Sequence, residues 1–238
     1  MAEETGLILP LGRYVLDTAC RQARSIRDRL GVDLPISVNL SPRQFQENRL
    51  LTQVAAALAA SDLPPELLIL EITETVIMED LSGAREVMKK LSQLGVRLAI
   101  DDFGTGHSSL AYLKQFPVHE VKVDRTFVQG VAESPVDSAI VRAIIDLANA
   151  MGISAVAEGV ETPDQAARLK MLGCRLGQGF YFSRPLRAGE FDELLTRHFA
   201  GTAGLAGPLL ASNGANTPGV IAVSASRACP ADASTLPR

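Results

Sequence analysis

Cysteine is scarce: Cys20, Cys174 and Cys229 are the only three in 238 residues, and they lie far apart. They show no metal-site spacing, and so sparse and odd a set points to reduced thiols in a cytoplasmic protein. Histidine is as rare, and His107, His119 and His198 are too scattered to form a ligand set. No apolar run reaches the ~20 residues that a transmembrane helix needs. The acidic start, Met1-Ala2-Glu3-Glu4, is not a signal peptide. A net charge of -4 and the lack of a basic stripe interleaved with aromatics argue against a surface for a nucleic-acid polymer. A small anionic ligand would need a metal ion or a few local cations.

What is present is a globular composition. Hydrophobic residues make up 47% and charged residues 21% of the chain, enough for one sizeable core. The length falls within the range of a single α/β barrel. Apolar spacing predicts helices over about Leu9–Leu30, Leu50–Ala60, Leu81–Leu94, Ser108–Gln115, Val136–Met151, Asp164–Leu172 and Ala188–Phe199. Strands are expected at Ile36–Leu40, Leu67–Ile72, Arg97–Ile100, Glu120–Asp124, Ile153–Ala157 and Arg175–Gly177. Gly95 and Gly152 stop two of the helices.

Strand and helix alternate, which predicts a parallel sheet with right-handed crossovers. Two architectures compete. A closed barrel needs eight strands, whereas an open doubly wound sheet does not. The second usually carries a phosphate-binding glycine loop after its first strand, and Asn39-Leu40-Ser41-Pro42 is not such a loop. The folded domain is expected over 1–199. From Ala200 the composition turns to Ala, Gly, Ser and Pro, and 200–238 is expected to be a disordered low-complexity tail.

The chemistry gathers at strand ends. Asp101–Asp102 closes an apolar run and is followed by Phe103-Gly104-Thr105-Gly106. Adjacent carboxylates repel one another and resist burial unless a cation neutralises them. A helix cap or a solvated turn is the plainer reading of that pair alone. Collecting the polar residue at each strand end gives Asn39, Glu71, Asp101 with Asp102, Lys122, Glu158 and Gln178. Each has a bland alternative: a turn or cap for Asn39, Glu158 and Gln178, surface exposure for Glu71, a solvated edge for Lys122. Together they read as one convergent site, because barrel chemistry sits at the C-terminal ends of strands. Carboxylates and an amide carbonyl are hard oxygen ligands that suit Mg²⁺ or Mn²⁺. Two such cations can activate water and stabilise both oxygens of an in-line displacement at phosphorus. Asp101 would bridge them, and Glu158 or Lys122 would orient the water.

Six motifs then occur in a familiar order: Ser37-Val38-Asn39-Leu40-Ser41, Glu71-Ile72-Thr73-Glu74, Asp101 to Gly106, Val121-Lys122-Val123-Asp124, Ala157-Glu158-Gly159-Val160-Glu161 and Gln178-Gly179-Phe180. Over about Ala2–Phe199 the chain resembles the EAL-domain family of bacterial cyclic-di-GMP phosphodiesterases. The resemblance implies a TIM-like barrel and hydrolysis of cyclic di-GMP to linear 5′-pGpG with Mg²⁺ or Mn²⁺. It implies that Asn39, Glu71 and Asp101 hold one metal, and Asp101 with Asp102 the second. Lys122 would contact the hydrolytic water, Glu158 would be the general base or water-orienting group, and Gln178 would support the site. Glu74 resembles the residue that orders the Gly104–Gly106 loop, and Glu161 the acid that organises the substrate-side loop. The loop and helix after Asp102 would contribute to a homodimer, and a sensory or cyclase partner is implied.

One departure stands out. The family's naming motif, Glu-Ala-Leu followed by an Arg, does not occur in this sequence. In relatives it lies upstream of the segment matching Ala2–Ile8, and its Glu is a metal ligand. The expectation is therefore an N-terminally truncated barrel with six of eight strands, unpaired edges at Ile36–Leu40 and Arg175–Gly177, and weak or absent hydrolysis by this chain alone. The alternative reading is a catalytically impaired module that binds cyclic di-GMP or a partner protein.

Overall fold

The computed structural model describes residues 2–105 and 113–201. Six parallel strands form one sheet in the order β1-β2-β3-β4-β5-β6, with neighbours in sequence also neighbours in space. They are β1 (Ile36–Asn39), β2 (Leu68–Thr73), β3 (Arg97–Phe103), β4 (Glu120–Val123), β5 (Ser154–Ala157) and β6 (Leu176–Gly177). The sheet does not close among the described residues: β1 and β6 are its two edges. It is an α/β, TIM-like barrel left incomplete, and the order rules out the doubly wound alternative, whose strand order reverses.

The helices are α1 (Ile8–Leu30), α2 (Pro42–Phe45), α3 (Leu50–Ser61), α4 (Glu74–Glu79), α5 (Leu81–Gln93), α6 (Arg125–Gly130), α7 (Pro135–Met151), α8 (Pro163–Met171) and α9 (Ala188–Gly201). α1 buries Leu16, Ala19, Cys20, Ala23 and Ile26 along one stripe. It ends at Gly31, whose φ of 67° lets its N–H reach back to the Arg27 carbonyl. The short helices α2, α4 and α6 were not anticipated. Each follows a strand directly and holds only a turn or two, too few residues for a periodic signal. Local caps start two of them: Ser41 with Gln44 forms a capping box for α2, and the Asp124 side chain caps α6. The expected helix over Ser108–Gln115 and the tail over 200–238 fall largely outside the described residues.

Alternation sorts the strand residues onto two faces. Ile36, Val38, Leu68, Leu70, Ile72, Leu98, Ile100, Val121, Val123 and Ala157 join the main core with the helices. The residues between them, Ser37, Asn39, Ile69, Glu71, Arg97, Ala99, Asp101, Glu120 and Lys122, face the other way. In parallel register Asn39 pairs with Glu71, Glu71 with Ala99, and Ala99 with Glu120. A single polar interior face therefore runs across the sheet. It is curled enough that Lys122 on β4 meets Glu71 on β2 at 2.6 Å and Glu158 just past β5 at 2.5 Å.

β3 runs further than the expected Arg97–Ile100 and includes both aspartates. Its register against β4 shifts between Ile100 and Phe103. Asp102 sits in that irregularity with φ 52°, a left-handed conformation that Asp tolerates better than most residues. The bulge re-aims the second carboxyl group, so that two consecutive side chains reach one pocket.

Candidate active site

Lys122 is the centre of the pocket. Its side chain is 3% exposed, and Nζ lies 2.6 Å from Glu71 Oε2, 2.5 Å from Glu158 Oε1 and 3.1 Å from Asp101 Oδ1. Burial pulls the ammonium's pKa down, but these carboxylates outweigh it and hold Lys122 above its ordinary value. Glu71 is just as deeply placed, at 1% exposure of its side chain. An interior lysine of this kind persists only because acids on neighbouring strands enclose it.

The acids outnumber the cation. Asp101, Asp102 and Glu158 present oxygens that all lie within 4.8 Å of one another. One ammonium cannot neutralise that set, so the surplus takes up protons. Burial, followed by the charge of Asp101, raises Glu158 to about 7 even against the pull of Lys122. Burial also raises Asp102 to about 6, with Asp101 and Asp124 adding to it. These two carboxyls would release protons to a divalent cation.

Asn39 supplies the test of whether a cation fits. One end of its amide lies 3.1 Å from both Glu71 Oε2 and Asp101 Oδ2. With the NH₂ turned that way it donates to both carboxylates. With the carbonyl turned that way, three oxygens crowd together beside the Lys122 ammonium, which already donates to Glu71 Oε2 at 2.6 Å, and a further cation would relieve the remaining repulsion. The donor set is all oxygen, as Mg²⁺, Mn²⁺ or Ca²⁺ prefers. Asn39, Glu71, Asp101, Asp102 and Glu158 therefore fit one or more hard cations.

Gln178 braces Glu158. Its Nε2 donates to Glu158 Oε1 at 2.6 Å, while its backbone N–H donates to the Ala157 carbonyl and its carbonyl accepts from Val160. Both contacts made to the Glu158 carboxyl fall on Oε1. Glu74 opens α4 directly after β2 and is buried, and its Oε2 accepts from the Gly104 backbone N–H at 3.0 Å. Glu161 stands apart from the cluster: it is exposed, and its backbone N–H donates to Gln165 Oε1 at the start of α8.

Three polar residues of this face escaped the sequence reading. Asp124 shares a hydrogen bond with Asp102. Burial works against its charge, but the Thr126 hydroxyl and backbone N–H, with Asp102, hold it below the ordinary carboxylate range. Arg97 and Glu120 form an ion pair on the same face, one step toward the strand starts from Lys122. The signal was available: Asp124 and Glu120 flank Lys122 at a spacing of two, and Arg97 stands at even spacing from Asp101.

The curled parallel sheet carries at its C-terminal strand ends an acidic, lysine-centred cluster that could hold a metal ion, the arrangement of a barrel-type site. The EAL domain family model matches residues 1–185, and the chain belongs to the EAL domain family. It is 46% identical over 190 residues to the bifunctional diguanylate cyclase/cyclic di-GMP phosphodiesterase MucR of Pseudomonas aeruginosa, covering 80% of this chain and 28% of that protein. The solved c-di-GMP complex of the MucR phosphodiesterase superposes with a TM-score of 0.78, at 46% identity, over 80% of this chain and 77% of that one. A calcium/cy-diGMP complex of Klebsiella pneumoniae BlrP1 gives a TM-score of 0.66 at 34% identity, over 75% of this chain and 45% of that one. The chain spans about a quarter of the length of the curated relatives it matches (24% and 28% for the first two).

Proposed function

We propose that this chain binds cyclic di-GMP and hydrolyses it to linear 5′-pGpG with Mg²⁺ or Mn²⁺. The observation that carries this is the meeting of Asn39, Glu71, Asp101 and Glu158 around one buried lysine. Asn39, Glu71 and Asp101 would hold one cation, and Asp101 with Asp102 a second. Such ions supply Lewis acidity and a water of lowered pKa. The chain's own groups do the rest. Glu158, held by Lys122 and Gln178 through Oε1, would accept the proton of the attacking water. As the new P–O bond forms, the P–O3′ bond breaks and O3′ takes up a proton from solvent, leaving a 5′-phosphate and a free 3′-hydroxyl. Lys122 contacts that water, and Gln178 fixes the Glu158 carboxyl through Oε1. Glu74 steadies the loop that begins at Gly104, and Glu161, by its place in the motif, would organise the substrate-side loop.

The sheet edges β1 and β6, open among the described residues, favour a second reading, a module that binds the dinucleotide without turning it over. One pair of measurements decides. Calorimetry with cyclic di-GMP and Ca²⁺ reads binding, and chromatography after incubation with Mn²⁺ reads pGpG. Binding with product supports the enzyme, and E158Q should then lose at least ~10²-fold in turnover. Binding without product supports the second reading, and no binding overturns both. We also assign to this chain a homodimer contact through the segment after Asp102, a sensory or cyclase partner, and a reducing cytoplasmic setting that suits its buried, unbonded Cys20 and Cys174.

A further inference from the structure

Beneath the site, the same interior face carries a second set of charges. Arg97 on β3 and Glu120 on β4 meet at 2.6 Å, Nη2 to Oε1. The Glu120 side chain is 4% exposed and that of Arg97 26%. Glu120 is two residues before Lys122, on the same face of the same strand. Burial raises the Glu120 carboxyl above its ordinary pKa, Arg97 pulls it back, and from the pocket side Glu71 pushes it up while Lys122 pulls it down.

The lysine stem is flexible, and its ammonium has two sets of acids to choose from. Glu71, Asp101 and Glu158 already contact it, and Glu120, two residues earlier on the same face of its own strand, is the alternative. A buried carboxylate with no cation is strongly unfavourable. Without its arginine, Glu120 would draw the ammonium down, away from the strand ends. We infer that Arg97 is a positioning residue: by neutralising Glu120 it keeps the Lys122 ammonium among Glu71, Asp101 and Glu158. The inference rests on the reading of the upper pocket as a metal-supported phosphodiesterase site.

Two effects of opposite sign follow from removing the Arg97 charge. The water loses its lysine contact, so turnover falls. The upper carboxylates lose their internal cation, so a divalent ion binds them more tightly. A merely structural role for the ion pair would lower both. The full chain is therefore compared as wild type, R97K, R97M, R97Q, E120Q and R97M/E120Q. Mn²⁺ alone is titrated by calorimetry, and kcat and KM are measured on cyclic di-GMP.

R97M and R97Q should each bind Mn²⁺ several-fold more tightly while kcat falls about tenfold at little-changed KM. R97K, which keeps the charge, should stay near wild type on both readouts. R97M/E120Q should return both to the E120Q values, because nothing below then attracts the lysine. Weaker Mn²⁺ binding in R97M and R97Q, no change in either readout, or a double variant that behaves like R97M would each overturn the inference. Running R97M and R97Q in parallel leaves one to decide if the other does not fold. If wild type neither binds nor cleaves cyclic di-GMP, the proposed function fails, and the Mn²⁺ affinities alone still judge Arg97.

Discussion

Replacing Lys122 with Met removes the cation that Glu71, Asp101 and Glu158 share at 2.6, 3.1 and 2.5 Å. At an effective dielectric near 20, one pair at that closest range attracts by roughly 6 kcal/mol before desolvation is counted. Desolvation cancels much of this, and breaking a buried pair typically costs about 3–5 kcal/mol. The lower end applies here, because Glu158 takes up a proton at about 7 and relieves part of the stranded charge. K122M should thus be about 3 kcal/mol less stable near neutral pH. At roughly 2–4 °C per kcal/mol for a chain of this size, Tm falls by about 6–12 °C in EDTA. Circular dichroism on heating reads this directly. Saturating Mn²⁺ should recover much of the deficit, since a divalent ion substitutes for the ammonium among the same oxygens. Equal Tm values for K122M and wild type in EDTA, or a deficit that Mn²⁺ leaves untouched, would refute the argument.

The raised Glu158 gives a pH dependence with a defined sign. Its carboxyl ionises at 4.5 in the unfolded chain and at about 7 in the folded one, so metal-free stability should fall as pH rises between those values. The drop is roughly 3 kcal/mol, Asp102 adds to it with the same sign, and E158Q should flatten the urea-midpoint profile across this window; a profile that rises instead sinks the assignment. Mn²⁺ affinity should climb over the same range as the ion displaces those protons, which calorimetry in buffers of different ionisation enthalpy would show. E74A leaves the Gly104 N–H without its acceptor at 3.0 Å. That should cost ~1–3 kcal/mol locally and speed hydrogen exchange at Gly104, and unchanged exchange would contradict it. G179A would set a Cβ 2.2 Å from the Val160 carbonyl oxygen at a backbone φ of +154°. Because backbone cannot swing aside as a side chain can, we expect a loss of ~2 kcal/mol or more in urea denaturation, and a silent substitution would show the corner is looser than described.

Much of this protein was legible before any coordinates. Apolar runs bounded by glycine and proline located the six strands and the longer helices, because parallel strands covered by helices must be apolar and helices on them must be amphipathic. The polar residue ending each run was equally visible, since a carboxylate or amide there contradicts the burial around it. The short α2, α4 and α6 were not, because one or two turns rest on local caps.

Sequence alone could say that Asn39, Glu71, Asp101, Lys122 and Glu158 end or follow neighbouring strands. It could not say how far the strands curl, and so could not bring Lys122 within 2.5 Å of Glu158 and 2.6 Å of Glu71 at once. Nor could it find the bulge that turns Asp102 into the pocket, or the Arg97–Glu120 pair below it. Those facts belong to tertiary structure. Alternation along a strand is fixed by covalent geometry, whereas the meeting of side chains from different strands depends on register and curvature, which the whole packed sheet decides.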